Sequence, residues 1–126
     1  MTLTVVAAVV ERGGRFLVTR RQPGVHLEGY WEFPGGKCEP AEAHDRCLRR
    51  ELSEELGVDA RVGDRLLETS HDYPDRTVTL HFYRCEIDQE PQPLLKQEIK
   101  WATRGELGSL EFPPADAELI RILQEG

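Results

Sequence analysis

A chain of 126 residues suits a single domain over 1–126, and 39% hydrophobic with 31% charged residues is the balance of an ordinary globular protein. The net charge of −7, with no basic stretch, argues against broad electrostatic binding to nucleic acid or anionic membrane. No apolar run approaches the roughly 20 residues of a membrane span, and the N-terminus lacks a basic start and a cleavage site, so a cytoplasmic protein is expected.

Leu3 to Glu11 is apolar and β-branched and predicts a strand. Arg12-Gly13-Gly14 is a hairpin turn, and Arg15 to Arg21 the return strand. Gln22 to Tyr30, with Pro23, Gly24 and Gly29, is loop. Trp31 to Phe33 predicts a short strand into Pro34-Gly35-Gly36, read as a turn whose glycines permit close backbone approach. Pro40 suits the first turn of a helix that runs to about Leu56 and stops at Gly57, with Leu48, Leu52 and Leu56 as its core stripe. Asp59 to Ser70 and Thr77 to Ile87 are two more strands, joined through His71–Arg76. Ile99 to Thr103 is a short strand holding Trp101, Glu106 and Leu107 begin a helical turn, and Pro113–Asp116 leads into a final helix, Ala117 to Leu123. Strands and helices mix without regular βαβ alternation, which places the fold in the α+β class. Cys38, Cys47 and Cys85 are an odd number without CxxC spacing, so they read as free thiols in a reducing compartment, Cys47 as a small buried filler.

The central helix carries the chemistry. Glu51, Glu54 and Glu55 fall at i, i+3 and i+4 and share one face. Like charges so placed destabilise a helix by a few tenths of a kcal/mol per pair. A divalent cation offsets that cost, and carboxylate oxygens are the donors Mg²⁺ and Mn²⁺ prefer.

Gly36, Glu42, Arg50-Glu51-Leu52, Glu54-Glu55 and Gly57-Val58 stand at the spacing of the Nudix hydrolase signature, and the segment resembles it at every specified position. Thr19-Arg20-Arg21, Trp31–Lys37, Tyr73–Arg76, Trp101 and Phe112–Asp116 extend the resemblance to the MutT-type nucleoside triphosphate pyrophosphohydrolases. The resemblance implies an α/β/α sandwich, with a mixed sheet between the signature helix and the C-terminal helix. It implies Mg²⁺ (or Mn²⁺) held by Glu51, Glu54, Glu55 and the Gly35 carbonyl. Arg50 and Glu42 then hold the first glutamate of the core in place, and Arg21 contacts phosphate. One departure is visible. Leu95 stands where the family often has a loop carboxylate, and Glu98 is the nearest acid that could contact the metal.

By the same resemblance Leu3, Val5, Phe33, Arg76, Leu80 and Asp116 build the base pocket. An ionised Asp116 only accepts hydrogen bonds, where the oxidised-guanine-preferring type has Asn. It suits the amino group of cytosine or N–H groups on a purine edge, and it could also cap the last helix. His26 lies in the loop beside the pocket, His71 and His81 fall on positions near the nucleotide, and none of the histidines has zinc spacing. The resulting expectation is a monomer or weak homodimer acting on a small-molecule nucleotide. Its substrates would be oxidised triphosphates such as 8-oxo-dGTP or, alternatively, CTP and dCTP; enzymes for other nucleoside diphosphate-linked compounds are a more distant option.

Overall fold

A computed structural model describes residues 1–126. In chain order the strands are β1 (Thr2–Arg12), β2 (Arg15–Arg20), β3 (Trp31–Glu32), β4 (Gly35–Lys37), β5 (Ala60–Tyr73), β6 (Arg76–Ile87) and β7 (Ile99–Thr103). The helices are α1 (His44–Leu56), α2 (Arg104–Leu107) and α3 (Ala117–Glu125), the last entered through a 3₁₀ turn at Pro114–Asp116. β1 is the spine. One edge pairs in parallel with β6 from Thr2/Thr77 to Val10/Cys85, and β6 pairs antiparallel with β5. The other edge is divided: β4 takes Val5–Ala7 and β2 takes Glu11–Arg12. β2 in turn pairs with β3 and β7.

The period-2 alternation of β1 sends its side chains into two cores. Val6, Ala8 and Val10 face α1 and pack with Leu48, Leu52, Leu56, Cys85 and Ile87. Ala7 and Val9 face the other way and pack with Phe16, Val18, Phe82, Leu107, Leu119 and Leu123 under α2 and α3. The sheet therefore lies between the central helix and the C-terminal helix, as the resemblance implies. The three leucines of α1 are fully buried, each contributing about 1.5–3 kcal/mol.

Three local readings are corrected. The glycine pair is not a turn but the strand β4, because Gly35 packs its backbone directly on that of Val6 and Ala7, where any Cβ would strike the Val6 carbonyl. The helix starts at His44 rather than at Pro40, since Ala41 takes a left-handed conformation (φ 63°) that breaks helical continuity. Its other end agrees: Gly57 adopts φ 67° and its N–H donates to the Ser53 carbonyl at 3.0 Å. Cys38 and Cys47 are not free thiols but a disulfide, with Cα atoms 5.3 Å apart. β4 runs beside α1, and this sets the residue after β4 against the first turns of the helix. Cys85 remains a buried free thiol, and burial pushes it up to about 12.

Candidate active site

The acidic face of α1 is organised by one arginine. Arg50 Nε and Nη2 each donate at 2.9 Å to an oxygen of Glu42, a bidentate grip. Its Nη1 donates to Glu51 at 3.1 Å and to Glu54 at 2.9 Å, and Nη2 also reaches the Lys37 carbonyl at 3.3 Å. Glu42 is held down to about 2 by the Arg50 hydrogen bonds first, and by the Glu39 backbone N–H second. Glu51 is anchored in this way against β4, where a Cβ on Gly36 would come within 2.5 Å of its carboxyl group.

Glu55 is the member without a cationic partner. Burial, a hydrogen bond to Glu51 and the charges of Glu51, Glu32 and Glu54 push it up to about 9. Three carboxylates crowded until one holds its proton form a donor set that a divalent cation fits, since the cation replaces that proton. All their donor atoms are oxygens, which suits Mg²⁺ or Mn²⁺.

Beside the acids opens a cavity of about 380 Å³. Val5, Ala7, Phe33, Leu80, Phe82, Pro113 and Ala115 give it apolar walls, and Arg21, Glu32, Gly35, Gly36 and Glu55 also line it. Phe33 is stacked on Phe112 at 5.4 Å and meets Phe82 edge-on at 6.1 Å, which fixes the wall. Arg21 is oriented by Glu32 (2.9 Å) and the His26 carbonyl (2.6 Å). Asp116 also lines the cavity, 6% exposed and without a capping hydrogen bond to α3. Burial, and then the charge of Glu32, raise it to about 7. A carboxyl group without a hydrogen-bond partner beside apolar walls carries a burial cost that a donor from a bound molecule would offset.

A NUDIX domain model matches residues 5–121. The chain belongs to the Nudix family. It is 34% identical over 119 residues to the CTP pyrophosphohydrolase of Escherichia coli K12, covering 94% of this chain and 88% of that protein. It is 36% identical over 124 residues to the 8-oxo-dGTP diphosphatase of Haemophilus influenzae, covering 95% and 91%. The solution structure of the MutT Nudix protein from methicillin-resistant Staphylococcus aureus 252 superposes with a TM-score of 0.82 at 34% identity, covering 100% of this chain and 98% of that one. The protein is a Nudix hydrolase, and such enzymes generally use a divalent metal. No helix is long and apolar enough to cross a membrane.

Within this Nudix fold Gly35 and Glu55 line the cavity with Phe33, Leu80 and Asp116, and Arg50 ties Glu51 and Glu54 together on the adjoining helix face. Glu98 does not line the cavity: its carboxylate pairs with Arg20 at 3.0 Å and lines an adjoining polar depression with Lys96 and Glu28, which meets the cavity at Arg21. Gln97 stands nearer the acids, donating to the Glu55 carbonyl at 3.1 Å. Arg76 is exposed beside the Pro74-Asp75 turn and does not line the cavity, which its cross-strand partner Tyr73 reaches instead. Leu3 borders a different depression beside Cys38 and His44. His81 faces α1, with its ring 4.4 Å from that of His44, on the opposite side of the sheet from Leu80 and Phe82. Tyr73 and Leu27 line the cavity unanticipated; Tyr73 lies in the segment quoted for the resemblance, and Leu27 carried no signal. Glu32 carried a signal of its own, a lone acid between Trp31 and Phe33 in a short half-buried strand.

Proposed function

We propose that the chain acts as one domain, residues 1–126, to hydrolyse nucleoside triphosphates with Mg²⁺, Mn²⁺ being able to replace it, giving nucleoside monophosphate and pyrophosphate. Glu51, Glu54, Glu55 and the Gly35 carbonyl hold the cation in this reading, and Glu98 stands outside the set because Arg20 engages it. When bound, the cation neutralises phosphate oxygens and acidifies water. Arg50 keeps Glu51 and Glu54 aimed, Arg21 meets phosphate, and Glu51 and Glu54 are the carboxylates available to take the proton of the attacking water. The apolar cavity takes the base between its Phe33 and Leu80 walls, excluding water from that end of the substrate.

The observation that carries this reading is the adjoining of a three-carboxylate face, whose Glu55 has no cationic partner, and a largely apolar, base-sized cavity holding the buried Asp116. Removal of oxidised nucleotides such as 8-oxo-dGTP is the function it supports first, and relatives named for that activity span the whole fold. A specific observation favours a second substrate class: Asp116, once ionised, accepts from an amino group, which fits CTP or dCTP. Pyrophosphate release, with the nucleoside monophosphate identified as co-product, measured across a nucleotide panel with and without Mg²⁺ tests both. Activity on dinucleoside polyphosphates or ADP-ribose alone would refute the proposal.

A further inference from the structure

The Cys38–Cys47 bond joins the two walls of the cation site. Cys38 directly follows β4, whose Gly36 lies against Glu51, and Cys47 lies one turn before Glu51 on α1. The ring it closes contains Glu42, the bidentate partner of Arg50, and the left-handed Ala41. Arg50 Nη2 lies 4.0 Å from the Cys47 sulfur and also reaches the Lys37 carbonyl. The first turn of α1 has no side-chain cap, because its N-cap is Ala43. The covalent bond is therefore the strongest tie between that turn and β4. The two sulfurs differ in access: Cys47 is fully buried, whereas Cys38 is partly exposed.

We propose that Cys38–Cys47 is an exchangeable redox site whose reactants are low-molecular-weight thiols and disulfides, and that its state sets the affinity of the neighbouring carboxylates for a divalent cation. The inference rests on the reading of Glu51, Glu54 and Glu55 as cation ligands. In reduction a thiolate attacks the accessible Cys38 sulfur, the S–S bond breaks, and Cys47 leaves as a thiolate that takes a proton from solvent. A second thiolate attacks the external sulfur of the mixed disulfide, freeing Cys38 and releasing the oxidised external disulfide. Two external thiols supply the two electrons, and oxidation runs the same steps backwards. Reduction opens the ring and lets the segment carrying Glu42 sample other conformations, which loosens the grip of Arg50 on Glu51 and Glu54.

The test equilibrates the full chain in glutathione buffers of defined ratio and counts reactive thiols without denaturant, where Cys85 is silent because it is 3% exposed. Binding of Mn²⁺ alone is then followed by the loss of free-ion paramagnetic resonance signal. Mn²⁺ prefers oxygen donors, so the freed sulfurs, which lie with Glu42 inside a 4.8 Å cluster, compete little. The oxidised chain should bind Mn²⁺ about 10-fold or more tightly than the reduced one, in step with the thiol count. Cys38→Ser, at the partly exposed end, should bind weakly at every ratio and melt about 10 °C lower. Equal affinity in both states, or a pair that no glutathione ratio reduces in the native chain, would overturn the proposal. Binding that is absent in both states would instead overturn the cation site itself; Glu54→Gln, expected to weaken binding in the oxidised chain, is the control for that site.

Discussion

Replacing Asp116 with Asn should stabilise the protein at neutral and alkaline pH and change which bases it accepts. The folded state raises this carboxyl from 3.8 to about 7. Between those values the folded chain keeps a proton that the unfolded chain has lost, so stability falls as pH rises from about 4 to about 7 and stays lower above. A displacement of about three pH units at 1.36 kcal/mol each sets a ceiling of about 4 kcal/mol. Water at the cavity mouth and titration of Glu32, which burial also raises, reduce it. About 1–2 kcal/mol at pH 8 is the expected gain for Asn, or about 4–8 °C in Tm for a chain of this length. The difference should vanish below about pH 4. Thermal unfolding of both proteins from pH 4 to 9 without divalent cation measures it, and a Tm difference that does not change with pH would refute the burial argument. The same variant should move kcat/KM toward 8-oxo-dGTP relative to dCTP by about 10-fold or more, since one base-edge contact discriminates by ~1–3 kcal/mol. A stability response with an unchanged ratio would mean that Asp116 is buried but does not read the base.

Glu54→Gln keeps the side chain's size and removes a charge from a largely exposed position, so turnover should fall at least ~100-fold with the melting curve retained; a near-normal rate would remove Glu54 from the site. Hydrolysis in ¹⁸O-water should place the label in pyrophosphate, as attack at the β-phosphorus requires, and label in the monophosphate would show that another bond breaks. Glu98→Gln should change kcat by less than about 3-fold, because its carboxylate serves Arg20; a loss of about 10-fold would return it to the metal site.

The acidic helix was legible because its chemistry is local. Spacing alone brings Glu51, Glu54 and Glu55 to one face and gathers Leu48, Leu52 and Leu56 into the neighbouring stripe, and Gly57 ends the helix where a left-handed residue is needed. What was not legible depends on contacts between distant segments. Gly35-Gly36 carries a turn signal, and only the pairing of β4 with Val5–Ala7 makes it a strand. The cysteine pair has no diagnostic spacing, and its partnership exists only because β4 lies alongside α1. His81 and Leu80 are neighbours in sequence, yet strand alternation puts them on opposite faces, so nearness along the chain was misleading for the histidine. Glu98 lay beside a missing acid in sequence, and an arginine from β2 captured it in space.

The division of β1 between two cores separates two kinds of evolutionary freedom. Val6, Ala8 and Val10 seat the helix that bears the carboxylates, while Val5, Ala7 and part of Val6 border the cavity. A bulkier side chain at Val5 or Ala7 would therefore crowd the cavity first, and one at Ala8 or Val10 would disturb the seat of the helix first. Cavity shape and helix support can therefore be altered largely independently along one strand. A shift of register by one residue would exchange the two sets and destroy both at once.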